Sequence, residues 1–320
     1  MHAVHGFAPL PRPNTQSGEP RRTGVEVEFS GLTMEDTCRT ITDHLGGDVV
    51  AQDAFLVSIK DTEIGTITVE LDTPARHASD NRLVKKGLEI AQAVVPLEII
   101  SEPLELSGLE TFNTVIGVLR RAGAAGSRSG ALLGFGVHLN PEAVDPNGAF
   151  TVATLRAYAL LEPYLRHIED LDLTRRALPF VQPWPDAFVS DLVASPATSL
   201  SDLFPLMAGH LTTRNHGLDV FPLLKHVDEA RFAASFPDDK TSARPTFHFR
   251  LPDCRIDEPD WDLTQPWALW HLVETVADTP DLLNDLSTAW SERRARFWRS
   301  DDWITDVAAL LEKHNLGEAA

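Results

Sequence analysis

The sequence has few cysteines and fewer basic than acidic residues. Only two of its 320 residues are cysteine, Cys38 and Cys254, and no Cys-x-x-Cys pair occurs. This excludes a disulfide framework and a thiolate zinc site, and it fits a reducing compartment. Lysine and arginine number 28 against 47 acidic residues, so the net charge is −19. Because such a field repels phosphate backbones and anionic lipid, we expect neither a nucleic-acid nor a membrane partner.

Long apolar runs and the common nucleotide-binding motifs are also missing. No run reaches the roughly 18 apolar residues of a membrane span. The first 22 residues lack the apolar core of a signal peptide, so we expect a cytoplasmic protein. Neither the phosphate-binding loop GxxxxGK[ST] nor the dinucleotide fingerprint GxGxxG occurs. A bound nucleotide would therefore have to be held by other means.

The chain length predicts one large domain or two small ones. Residues 1–22 are rich in proline, glycine and polar residues, which predicts an extended arm. Residues 23–320 are predicted to form a single domain, strand-rich over 23–141 and helix-rich over 150–320, with one returning strand near 245–251. This order predicts an α+β fold, a mostly antiparallel sheet with helices on one face. A doubly wound parallel fold is the main alternative.

Hydrophobic periodicity predicts the individual elements. Alternation predicts strands at 25–29, 55–60, 66–72, 97–101, 132–140 and 246–251, and helical spacing predicts helices at 33–45, 81–95, 107–123, 151–171, 264–278, 282–298 and 301–314. Thr33 is the expected N-cap of the first helix. Ser107 and Glu110 have the spacing of a capping box, which predicts that a helix opens there.

Five of the six predicted strands, all except 55–60, have one apolar face and one polar face, because residues two apart share a face. The polar face carries Glu26, Glu28, Glu70, Asp72, Glu98, His138, Asn140, His248 and Arg250. A solvated outer face is the simpler interpretation. However, these strands carry several carboxylates and no lysine, and like charges on neighbouring strands destabilise one another unless a cation lies between them. Carboxylates with an imidazole favour Mg²⁺ or Mn²⁺ over zinc, so we predict a metal site.

Five segments carry a resemblance to a known family. RRTGVEVEFSGL, TVELDT, VPLEIISEPL, GFGVHLN and RPTFHFRLPD follow one another within about residues 8–260. In this order they resemble the amidoligases, relatives of the glutamine synthetases and glutamate–cysteine ligases. GFGVHLN is similar to the Gly-x-Gly-x-His-x-Asn/His strand of glutamine synthetase, and FHFRLPD is similar to its Glu-x-Arg strand. The resemblance implies a sheet like that of the glutamine synthetase catalytic domain, with one acidic functional face.

The resemblance also implies roles for single residues. It implies metal ligands at Glu26, Glu28, Asp72, Glu98, His138 and His248, with a looser match at Glu70. Asn140 would lie beside the nucleotide or substrate, and Arg250 would contact the transferred phosphate, assisted by Arg214 or Arg244. Glu98 and Arg250 are the residues expected to take part in the chemistry. The chain departs from the family at His248, where a metal-binding glutamate is usual.

The implied activity is ATP-dependent ligation of a carboxylate to an amine, assisted by Mg²⁺ or Mn²⁺. An amide or isopeptide bond would form through an acyl phosphate, from small-molecule or peptide substrates. One alternative is a metal-dependent hydrolase that uses the same face, without ATP and without a need for Arg250. Another alternative is a degenerate family member that binds nucleotide or peptide without catalysis. The presence of His248 in place of the usual glutamate is the feature that supports it. The sequence does not identify the acid, the amine or the oligomeric state.

Overall fold

One antiparallel sheet organises the fold in the computed structural model, which describes residues 6–53, 55–71, 96–129, 134–171, 181–295 and 302–316. Its eight strands are β1 (Thr23–Phe29), β2 (Asp48–Ala51), β3 (Leu56–Thr62), β4 (Gly65–Leu71), β5 (Leu97–Ser101), β6 (Val137–Pro141), β7 (Leu218–Asp219) and β8 (His248–Phe249). They lie in the order β2-β3-β4-β5-β1-β6-β8-β7, and all neighbours run antiparallel. The predicted α+β class is confirmed, and the parallel alternative is wrong for these residues.

Ten α-helices accompany the sheet in the described part of the chain. They are α1 (Met34–Leu45), α2 (Leu106–Ala122), α3 (Ala149–Ile168), α4 (Asp186–Ala194), α5 (Leu200–His210), α6 (Phe221–Val227), α7 (Glu229–Ser235), α8 (Thr264–Ala277), α9 (Pro280–Ala295) and α10 (Trp303–Lys313). The helix predicted at 81–95 lies outside the described residues. None of the helices described is both long and apolar enough to cross a membrane.

Several element boundaries differ from those predicted. Thr33 does cap α1, accepting a hydrogen bond from the Asp36 backbone. However, α2 begins at Leu106 without a side-chain cap, so the capping box predicted at Ser107 is wrong. The reason is that Leu104 still exchanges backbone hydrogen bonds with Thr23, and the helix starts directly after this pairing.

The returning strand is much shorter than predicted. Only His248 and Phe249 form regular ladder structure, and Thr246 makes an isolated bridge to Glu142. Prolines at 245 and 252 flank this segment. Because proline lacks a backbone N–H, it interrupts a ladder, which explains the short strand.

The apolar face of the sheet is covered by helices. Val25, Val27 and Phe29 of β1 are almost fully buried, whereas Glu26 and Glu28 between them are partly exposed. Near the β8–β7 edge of the sheet, the Trp270 ring of α8 packs against the rings of Phe247 and Phe249, with centroid distances of 5.0 and 5.4 Å. This burial on one side fixes the acidic residues on the other.

The described part of the predicted N-terminal arm packs against α8. Trp267 Nε1 donates a hydrogen bond of 2.8 Å to the Ala8 carbonyl oxygen. The Arg21 guanidinium, directly before β1, makes two hydrogen bonds of 2.7 Å to the Glu274 carboxylate, and both side chains are buried. The start of the central strand is therefore anchored to a helix late in the chain.

We expect Arg21→Leu to lower the free energy of unfolding by about 3–5 kcal/mol, because it leaves the buried Glu274 carboxyl group without its ionic partner. Denaturant unfolding followed by far-UV circular dichroism measures this loss. Arg39→Leu is the matched control, since Arg39 pairs with Asp36 on the exposed side of α1 and should matter little. Equal losses in both variants would contradict the assignment of Arg21 as an anchor.

Candidate active site

Three carboxylates lie in one row across the polar face of the sheet. Glu28 of β1 is directly opposite Glu98 of β5, and Glu98 is directly opposite Glu70 of β4. Directly opposite side chains in an antiparallel pair project to the same face with Cβ atoms about 5 Å apart. The register therefore concentrates negative charge along this row.

His138 joins this row to Glu26. The two residues are opposite each other on β1 and β6, and His138 Nδ1 lies 2.9 Å from Glu26 Oε2. Since a carboxylate only accepts hydrogen bonds, Nδ1 is the donor. His138 Nε2 lies 3.7 Å from Glu28 Oε1, and His138 Nδ1 lies 3.9 Å from Glu98 Oε1. The imidazole thus stands among three carboxylates.

A chain of hydrogen bonds leads from Glu26 to Arg250. Asn140 Nδ2 donates to Glu26 Oε1 at 2.8 Å, and Asn140 Oδ1 lies 2.6 Å from His248 Nδ1. Arg250 Nη2 lies 2.8 Å from His248 Nε2 on the other side of the same ring. With His138 on the other side of Glu26, five of the predicted site residues are therefore joined in one series of contacts.

Asp219 of β7 holds the arginine side of the site. Its Oδ2 accepts a hydrogen bond of 2.9 Å from Arg214 Nε and lies 3.9 Å from Arg250 Nη2. Its Oδ1 accepts from the Phe221 backbone N–H at 2.9 Å. Sequence reasoning missed Asp219, because a single acid in a two-residue strand gives no alternation. Arg214 and Arg250 therefore both lie beside this one carboxylate.

Burial and neighbouring groups set the charges in the centre of the site. Burial acts to raise the pKa of Glu26, but hydrogen bonds from His138 and Asn140 and the neighbouring imidazoles outweigh it, so the pKa lies well below its usual range. Burial lowers the pKa of His248 well below its usual range, and Arg250 acts in the same direction. Glu26 is therefore ionised and His248 neutral near pH 7.

Burial also raises the pKa of Asp219, although the charges of Arg214 and Arg250 act against this rise. The carboxyl group is nevertheless the nearest acidic partner described for both arginines. Its position explains why two guanidinium groups can lie close together at one end of the polar face.

Among the residues that the structure describes, two sets of side chains could hold a metal ion. Glu28, Glu98 and His138 form one set, and Glu26, His138 and His248 form the other, each with ligand atoms within 4.8 Å of one another. The first set offers two carboxylates and an imidazole nitrogen, which suits Mg²⁺ or Mn²⁺. In the second set, His248 Nε2 already faces Arg250. The donor chemistry thus fits a divalent ion best in the first set.

Asp72, one of the predicted metal ligands, lies outside the described residues. Arg244 lies in the loop before β8, where its backbone N–H donates to the Pro222 carbonyl oxygen, and the described contacts do not join its guanidinium to the cluster. The predicted roles of both residues stay predictions.

Residues 19–272 match the model of a protein family described as "putative amidoligase enzyme". The chain belongs to this family. No curated protein matches the sequence. The matched part of this amidoligase-family chain contains all eight described strands and the site residues described above. Helices α9 and α10 lie beyond it. The resemblance seen in the sequence is thereby confirmed, and the family supports an amide-bond ligase.

We expect Mn²⁺ to raise the unfolding temperature of the protein by roughly 5 °C when one site is nearly saturated. Glu98→Gln should abolish most of this rise, because it removes a ligand from the carboxylate row. Thermal unfolding with and without Mn²⁺ measures the effect. Glu110→Gln, on the exposed side of α2, is the control and should respond like the wild type. An undiminished rise in Glu98→Gln would exclude the proposed metal ligands.

The low pKa of Glu26 predicts a pH-dependent contribution to stability. Because its pKa is lower in the folded chain than its ordinary value of 4.5, the stabilisation is fully present above that value and is lost as the pH falls below it. The difference in unfolding free energy between wild type and Glu26→Gln should therefore shrink below pH 4.5, by up to about 1.4 kcal/mol per pH unit. Denaturant unfolding from pH 6 to pH 3 tests this, with Glu110→Gln as control. A constant difference would contradict it.

Proposed function

We propose that this chain is an ATP-dependent carboxylate–amine ligase, assisted by Mg²⁺ or Mn²⁺, that forms an amide or isopeptide bond through an acyl phosphate. The observation that supports this most directly is the order of charges on the polar face. Carboxylates lie on β4, β5 and β1, imidazoles on β6 and β8, and arginines at the β8–β7 end. The family assignment supports the ligase class.

The order of charges suits a metal-bound polyphosphate. Its anionic oxygens would be attracted to Arg250 and Arg214, and its metal ion to Glu28 and Glu98. Neither end of the face could bind the whole ligand alone, because one end is acidic and the other basic. The spacing across neighbouring strands brings both within reach of one small molecule.

Glu28, Glu98 and His138 are the residues that we propose hold the divalent ion. When bound, the ion neutralises charge on the phosphate oxygens. Glu26 accepts the Nδ1 hydrogen of His138, and this leaves the lone pair of Nε2 on the side of Glu28. A carboxylate that orients a ligating histidine in this way is common behind metal sites. Direct ligation by Glu26 or Asp72 stays a prediction.

Arg250 has the position and charge that phosphoryl transfer between two anions needs. The acceptor carboxylate and the γ-phosphate repel each other, and a guanidinium beside the equatorial oxygens reduces this repulsion as they approach. The Arg250 side chain is only 13% exposed and is held between His248 and Asp219. Its guanidinium therefore does not have to be ordered during the reaction.

The second half of the reaction needs a proton acceptor. A carboxylate is a poor electrophile until it is phosphorylated, and the attacking amine must then lose a proton. We assign this role to the Glu98 oxygen that does not hold the ion; Glu98 is buried in the middle of the carboxylate row. The acidic face would also attract a cationic amine. The substrates are proposed to be a small-molecule or peptide carboxylate and an amine.

Calorimetric titration with ATP and Mg²⁺ tests this function. We expect Glu28→Ala and Arg250→Ala each to weaken ATP binding by about tenfold or more, since each removes a charged contact. Glu110→Ala and Arg39→Ala are matched controls from exposed helix surfaces and should bind like the wild type. Phosphate release should require both a carboxylate and an amine substrate. Binding of Mn²⁺ without any binding of ATP would contradict the ligase and favour a metal-dependent hydrolase.

A further inference from the structure

His248 makes two hydrogen bonds that determine which ring nitrogen carries its hydrogen. Arg250 Nη2 lies 2.8 Å from Nε2. Because a guanidinium has donors only, Nε2 must offer its lone pair. The ring hydrogen is then on Nδ1, which donates to Asn140 Oδ1 at 2.6 Å. Both nitrogens of this buried ring are engaged, one as acceptor and the other as donor.

This arrangement conflicts with metal binding by His248. A metal ion needs the lone pair of a ring nitrogen, and here Arg250 takes the lone pair of Nε2 while a hydrogen occupies Nδ1. An ion at Nε2 would have to displace the guanidinium and then lie close to its positive charge. His138 differs, because its Nδ1 donates to Glu26 and its Nε2 lies toward the carboxylate row.

The same two hydrogen bonds connect the two ends of the polar face. Asn140 connects the His248 ring to Glu26, because its Nδ2 donates a hydrogen bond of 2.8 Å to Glu26 Oε1. Glu26 in turn orients His138. On the other side, Asp219 is 3.9 Å from Arg250 Nη2. A continuous series of contacts thus runs from the arginine end to the proposed metal end.

We propose that His248 is a positioning residue that holds the Arg250 guanidinium toward the substrate phosphate and is not a metal ligand. This inference rests on the proposed function. A neutral imidazole suits the role better than a carboxylate, which would neutralise Arg250 and leave less positive charge for the phosphate. The Asn140 amide is positioned in the same way, with its oxygen toward His248 and its nitrogen toward Glu26.

Two substitutions separate positioning from ligation. In His248→Gln, the amide can still accept a hydrogen bond from Arg250 and donate one to Asn140. In His248→Phe, the side chain keeps a ring that can pack edge-on against His138, as His248 does, but it forms neither hydrogen bond. We expect His248→Gln and His248→Phe to keep the Mn²⁺ stoichiometry of the wild type. His138→Gln should weaken Mn²⁺ binding by about tenfold or more. His271→Gln, in α8, is the matched histidine control.

Titration with ATP and Mg²⁺ then tests the positioning role. His248→Phe should bind ATP about tenfold more weakly, because Arg250 loses the contact that orients it. His248→Gln should stay within about threefold of the wild type. The unfolding temperature shows whether each variant is folded. If His248→Phe does not fold, the Mn²⁺ stoichiometry of His248→Gln alone decides whether His248 is a metal ligand.

The remaining outcomes would contradict either this inference or the proposed ligase. Loss of a bound Mn²⁺ in the His248 variants would overturn the inference, and so would wild-type ATP affinity in a folded His248→Phe variant. Wild-type protein that binds Mn²⁺ but no ATP would instead contradict the proposed ligase. In that case the Mn²⁺ stoichiometry of His248→Gln would still decide whether this histidine is a metal ligand.

Discussion

The register of β1 between β5 and β6 is the constraint on which the site depends. Through it, Glu28 lies opposite Glu98, and Glu26 lies opposite His138. A shift of one residue along either neighbour would turn every β1 side chain to the other face of the sheet. The carboxylates would then enter the apolar core, at a cost of several kcal/mol for each buried charge. Packing of Val27 and Phe29 therefore selects the arrangement of these polar side chains as well as the fold.

Much of the site could be predicted from the sequence, because side chains alternate along strands. Glu26, Glu28, Glu98, His138 and Arg250 share one face in the structure as the alternation predicted. The family resemblance then gave that face an expected chemistry, and the family match confirms the resemblance. What the alternation could not predict is which atoms meet, since that depends on strand order.

Other features left weaker signals or none. Asp219 lies in a two-residue strand whose place in the sheet depends on pairing with β8, far along the chain. The four helices between residues 186 and 235 are short, and two of them, α5 and α6, contain a proline. Tertiary packing rather than propensity stabilises such helices. All four residues of β2 are exposed, so its sequence shows no alternation. The start of α2 was predicted one residue too late, because the helix begins where the pairing of Leu104 with Thr23 ends and not at a side-chain cap.

The anchor between Arg21 and Glu274 has a consequence for synthesis of the chain. The two residues are 253 positions apart, and β1 must also wait for β6 before its second edge is paired. Both edges of β1 can be paired once β6 has been made, but its anchor to Glu274 can form only after most of the protein has been made. At about 5–20 residues per second this delay lasts on the order of ten seconds or more. During that time the alternating glutamates keep charge on the nascent strand, and like charges on two such chains oppose their pairing with each other.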